Sequence, residues 1–117
     1  MEFLDIYPTV ADLCGLKIPA TVKGASLTPL LDDPAKSVHD CAITYNVRNE
    51  NVPGYSLRTD RWRLTEWNEG REGTELYDHE NDAGEYHNLA TDPAHAATVK
   101  ELSALLHRER RKAGSMR

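Results

Sequence analysis

Cys14 and Cys41, the histidines His39, His79, His87, His95 and His107, and the adjacent carboxylates Asp32-Asp33 have the chemistry for nucleophilic attack, proton transfer or metal binding. A thiolate is a good nucleophile and a soft metal ligand. The two cysteines stand far apart, however, and form neither a C-x-x-C pair nor a recurring spacing, so buried free thiols are expected rather than a zinc site or a disulfide framework. The histidines follow no spacing that would pair a general acid with a base, and surface roles are expected for them. Ser26, Ser37, Ser56 and Ser103 lie in no nucleophile-elbow pattern. No catalytic constellation emerges from these residues by themselves.

The elements that would position such groups must come from a short chain. Its 117 residues make one small domain with a modest core. With 39% hydrophobic and 28% charged residues the composition is that of a globular protein, and no apolar run approaches the roughly 18–20 residues of a membrane span. The first residues, Met1 to Pro8, carry acid where an export signal needs a basic stretch. A net charge of −5 gives no positive field for nucleic acid. The basic cluster Arg108, Arg110, Arg111, Lys112 and Arg117 is expected to complement the negative end of a helix dipole.

Apolar residues at helical spacing from Phe3 to Cys14 predict a helix that starts near Pro8, follows an extended approach and stops at Gly15. Pro19, Gly24, Pro29 and Pro34 punctuate an ordered connector with a short turn around Leu27–Leu31. Cys41–Tyr45 reads as a strand. Tyr55–Thr59 and Trp62–Trp67 alternate around Asp60-Arg61 as an antiparallel hairpin, with Leu57, Trp62 and Leu64 on one face. Gly70–Gly73 reads as a turn and Glu75–Asp78 as an edge strand. Asp92 caps a final helix, with Pro93 at its first position and a stripe of Val99, Leu102, Leu105 and Leu106. The expected fold is α+β: a three- to four-stranded antiparallel sheet packed on a long C-terminal helix, with residues 1–34 as helix and connector and 35–117 as the subdomain.

Four segments, in order, resemble the formylglycine-dependent sulfatases, within the alkaline-phosphatase-like superfamily. Phe3 to Leu16 resembles the stretch that follows the family's active-site regions. Gly24-Ala25-Ser26-Leu27-Thr28-Pro29-Leu30-Leu31 resembles a G-x-S-L-x-P-L-L loop, and Gly54 to Arg63 resembles a G-Y-S-[IL]-R-T-D-R-[WY]-[KR] hairpin. Glu75-Leu76-Tyr77-Asp78, with Glu85, Asn88 and Leu89, resembles an E-L-Y-D-x-x-x-D-x-x-E-x-x-N-L signature. Thr65-Glu66-Trp67 leans toward members similar to iduronate-2-sulfatase.

The resemblance implies sulfate-ester hydrolysis by a complete parent enzyme, through a formylglycine made within C/S-x-P-x-R and assisted by calcium. Neither cysteine lies in such a motif, since Cys14 precedes Gly15-Leu16-Lys17 and Cys41 precedes Ala42-Ile43-Thr44. Asp32-Asp33 imitates half of the family's calcium set but falls after the G-x-S-L-x-P-L-L loop, which implies a solvated loop. The chain is therefore expected to be inactive alone and to need an N-terminal sulfatase domain as partner. Within a complete enzyme, Arg48 on a polar loop is the candidate to grip a sulfate or carboxylate, with a solvated loop arginine as the alternative, and Trp67 is the candidate to stack on a sugar ring, with a packing tryptophan as the alternative. Tyr77, Asp78, Glu85 and Asn88 are expected to organise the turn into the last helix. A glycan- or protein-binding module and a structural remnant are the alternatives. Met1 stands where family members commonly have valine, and a GTG codon can start a bacterial gene, so a truncated or split gene or an internal start is expected. The apolar faces this leaves uncovered predict self-association. Sulfatases of this kind are often exported.

Overall fold

The computed structural model describes residues 1–49, 51–112 and 114, and the chain divides into two compact units, Met1–Ala42 and Ile43–Arg117. In the first unit a 3-10 turn, Phe3–Asp5, runs directly into helix α1, Ile6–Leu13. The expected extended approach is thus a helical turn. Its cause is a side-chain cap: the Asp5 carboxylate accepts from the Glu2 N–H at 2.7 Å and closes the turn whose backbone bond runs from the Asp5 N–H to the Glu2 carbonyl at 3.1 Å. Pro8 lies in the first turn of α1, where its missing N–H costs little. Gly15 ends the helix at φ 67°, with Gly15 N–H on Asp12 O at 3.0 Å and Leu16 N–H on Ala11 O at 2.8 Å. That bond pair is the Schellman stop.

The connector folds back on α1 through polar bonds. Thr9 Oγ1 donates to the Asp5 carbonyl and accepts from Leu27 N–H, while Ser26 Oγ donates to Asp12 at 2.6 Å. Gly24 is required by contact, since a Cβ there would sit 2.0 Å from the Leu4 carbonyl oxygen. A short helix α2, Thr28–Asp32, follows with Pro29 in its first turn. Pro8 and Ala11 are buried, but Phe3, Leu4, Ile6, Tyr7, Val10 and Leu13 are exposed. Cys14, expected to be buried, is an exposed free thiol, because it caps the helix after its last packed turn.

The second unit is a four-stranded antiparallel meander in the order β1-β2-β3-β4, with strands Ala42–Arg48, Val52–Arg58, Trp62–Trp67 and Thr74–Asp78. Leu57 faces Leu64, and Leu64 faces Leu76. This row has no solvent exposure, and α3, Ala96–Lys112, covers it with Leu102 and Leu106. Each fully buried leucine contributes about 1.5–3 kcal/mol. A 3-10 turn, Pro93–His95, opens α3, with Asp92 accepting from Ala94 N–H at 2.8 Å. Strand β1 runs through Arg48, where sequence predicted a polar loop. An outer strand needs partners along one side only, so polar Asn46 and Arg48 fit it.

Beyond β4 the chain is held by side chains. Asp78, 5% exposed, accepts two bonds from Arg61 at 2.9 and 2.7 Å, one from Glu80 N–H and one from Asn81. Asn88 accepts from the N–H groups of Leu76 and Ala90 and donates to the Thr74 carbonyl, while Leu89 N–H bonds Leu76 O. Residues 88 and 89 therefore satisfy backbone groups on the outer side of β4. Among the described residues, no helix is long and apolar enough to cross a membrane.

Candidate functional site

Alternation in β2 and β3 sends Gly54, Ser56, Arg58, Arg63, Thr65 and Trp67 to the face opposite α3, joined from β4 by Glu75 and Tyr77. At one end of this face the Arg48 guanidinium carbon lies 5.6 Å from the centroid of the Trp67 ring. The two residues singled out for anion and sugar contact thus come together, with Arg48 supplied by the strand rather than a loop. The indole is fixed on two sides. A Cβ on Gly54 would lie 2.5 Å from its ring carbons, and its Nε1 donates to Glu75 at 2.8 Å. The other Glu75 oxygen accepts from the Tyr77 hydroxyl at 3.1 Å. Burial, followed by the Glu75 charge, pushes that hydroxyl above its ordinary pKa. Arg48 is exposed and forms no ion pair among the described residues.

Along the same face Arg58 stands directly opposite Arg63, an arrangement of like charges that would ordinarily destabilise a sheet. Glu85 offsets it, lying 3.2 Å from Arg63 and 2.6 Å from His79 Nε2, while Arg58 reaches His79 Nδ1 at 3.1 Å. Arginine only donates and a carboxylate only accepts, so this bonding requires His79 to carry its single proton on Nε2. Glu85 holds its position at φ 57°. From its sequence position a surface role is expected for His79. The signal that could have joined it to Glu85 is their six-residue separation across a turn.

Asp78 takes no part in this face. Its bonds from Arg61, opposed by burial and reinforced by Asn81 and Glu80 N–H, hold its carboxyl well below the usual range. Beneath α3, Glu66 is 6% exposed and accepts from Ser103 and from His107 at 2.9 Å. Neither partner was legible, because both lie some forty residues along the chain. Asp5, also buried, accepts from Ala25 N–H and from His39. Burial raises its pKa, but those bonds and the one from Glu2 N–H outweigh it and leave the carboxyl lowered.

The residues do not fit the metal or nucleophile of a sulfatase centre. Among the described residues no three His, Cys, Asp or Glu side chains converge as a metal site. Asp32 and Asp33 are exposed, and one Asp33 oxygen is taken by Ala35 N–H at 3.1 Å. No reaction step is assigned to them. Of the basic cluster near the C-terminus, Arg117 lies outside the described residues.

Residues 1–112 match the family described as N-sulphoglucosamine sulphohydrolase, C-terminal. The chain is 39% identical over 107 residues to the Delta 4,5-hexuronate-2-O-sulfatase of Bacteroides thetaiotaomicron, covering 88% of this chain and 22% of that protein. It is 32% identical over 101 residues to arylsulfatase K of Rattus norvegicus, covering 79% and 18%. A solved structure described as a 2-O GAG sulfatase superimposes with a TM-score of 0.82 at 36% identity, over 95% of this chain and 25% of that one. The chain therefore spans about a fifth of the length of the curated relatives it matches.

Proposed function

Because the chain belongs to the N-sulphoglucosamine sulphohydrolase C-terminal family, we propose that it works as the C-terminal part of a sulfatase that removes 2-O-sulfate from uronate-containing glycans. On this reading the sulfate-cleaving residues belong to an N-terminal partner portion outside residues 1–117. Calcium and a formylglycine would be held there, and none of the residues here is assigned to either. The contribution of this chain is to close the fold and to offer one anion grip at the substrate mouth.

The observation that carries this reading is Arg48 seated over a Trp67 ring that Gly54 and Glu75 hold in place. The ring's negative face attracts the guanidinium. Among the described residues no ion pair takes its N–H edge, which suits paired charge-assisted bonds to a sulfate or carboxylate. Tyr77, through Glu75, steadies the indole, while Asp78, Glu85 and Asn88 hold the turn that follows β4. The exposed apolar face of α1 is the surface we assign to the N-terminal part, and in isolation it drives self-association.

The test joins residues 1–117 to the catalytic portion of the Bacteroides hexuronate-2-O-sulfatase in place of that protein's own C-terminal segment. Sulfate release from a 2-O-sulfated disaccharide is expected from the joined protein and not from this chain alone. Arg48→Ala should raise KM about tenfold with little change in kcat, the signature of lost substrate binding. A folded joined protein without activity would contradict the sulfatase reading, and an unchanged KM would contradict the grip.

A further inference from the structure

The basic residues of α3 are paired unevenly, since Lys100, Arg110 and Arg111 form no ion pair among the described residues. Arg108 and Lys112 both pair with Glu109, at 3.1 and 2.8 Å, whereas Arg110 forms no ion pair among the described residues. Its guanidinium carbon lies 3.6 Å from the centroid of the Tyr55 ring instead. Tyr55 packs against Tyr45, with centroids 5.1 Å apart and planes tilted by 48°. Tyr55 stands opposite Glu66 and next in the strand to Gly54, so it points to the α3 side, away from Trp67. Arg71 is held nearby by two bonds to Asn68, each 3.1 Å. With Pro53 and Glu69 these residues line a pocket of about 500 Å³, within the size range of small-ligand sites.

The lining has a definite chemistry. Two guanidiniums face one carboxylate, and the Glu69–Arg71 pair is 3.5 Å long with both side chains exposed, so it neutralises Arg71 weakly. Tyr45 remains about half exposed beside them. An aromatic face next to forked cations suits a ring that carries an oxyanion, the ring lying on the tyrosine and the anion between the arginines. A small free anion would use the cations and leave the tyrosines idle. We propose that this pocket, on the face opposite Arg48 and Trp67, is a second site and binds a sulfated saccharide. The choice of a saccharide as its ligand rests on the sulfatase reading. The pocket's own lining supports this assignment, which does not depend on the role given to Arg48.

The test is calorimetric titration of the 117-residue chain at low salt with a disaccharide of 2-O-sulfated hexuronate and glucosamine. Arg110→Ala and Arg71→Ala should each weaken binding about tenfold, the usual scale for losing a charge-assisted bond. Arg110→Lys should retain more affinity than Arg110→Ala, and Tyr45→Ala should weaken the sulfated disaccharide more than inorganic sulfate. Circular dichroism of each variant separates a lost ligand from a lost fold, and Arg71 and Tyr45 test the pocket from outside α3. Absent binding, equal affinity for inorganic sulfate, or a loss caused by Arg48→Ala in place of Arg110→Ala would overturn the proposal. Arg48→Ala read by KM in the joined enzyme, and Arg110→Ala read by this titration, let the two proposals fail separately.

Discussion

The two units are built in opposite ways. Met1–Ala42 buries a carboxylate, Asp5, beside Pro8 and Ala11 and turns its large apolar side chains outward. Ile43–Arg117 also buries carboxylates, Glu66 and Asp78, but sets them around a closed row of leucines, Leu57, Leu64 and Leu76, under Leu102 and Leu106. Hydrogen bonds to a buried carboxylate define a shape well but contribute modest net stability. A closed apolar layer supplies the main driving force for folding. The first unit is therefore specified in shape yet unfinished in energy, and the second is able to hold itself.

Cutting the leucine row should break this contrast most severely. Leu64→Ala removes the central side chain of three and should cost about 2–5 kcal/mol, measured as a lowered denaturation midpoint of the sheet. A cost below 1 kcal/mol would mean that the row is not the second unit's core. Gly24→Ala should act on the other side of the comparison, because its Cβ meets a backbone oxygen that cannot rotate away. A loss of about 1–3 kcal/mol is expected, read as faster hydrogen exchange confined to residues 1–42. Exchange that rises equally in β2 and β3 would show that the units do not behave separately.

The smallest effect sharpens the comparison through pH. Asp78 is held below its ordinary pKa when folded, so its bonds stabilise the second unit above the unfolded value near 3.9. That contribution falls as pH drops toward the folded value. Asp78→Asn should flatten the acid limb of a stability–pH curve below about pH 4, and an unaltered limb would remove Asp78 as its source.

Which parts could be read from sequence follows from the same physics. Local signals were sufficient where one residue decides the geometry: Gly15 at a positive φ, Asp92 as a cap and the alternation of Trp62–Trp67. They failed where a distant partner decides. Glu66 looks like a solvent-facing strand residue until Ser103 and His107 close over it, and Asp5 looks like a surface acid until Ala25 and His39 reach it. Arg48 and Trp67 were legible as chemical types, but their meeting required β1 to continue through Tyr45-Asn46-Val47. Arg110 was legible only as a member of a basic run, because Tyr55 lies in a strand far back in the sequence.

Hydrogen exchange on the 117-residue chain, alone and joined to a sulfatase catalytic portion, tests the central claim most directly. The account predicts that amides of residues 1–42 exchange quickly in the isolated chain and become strongly protected on joining, while those of β2 and β3 are slow in both. Equal protection of residues 1–42 in the two states would contradict it, since the first unit would then be complete without the rest of a sulfatase.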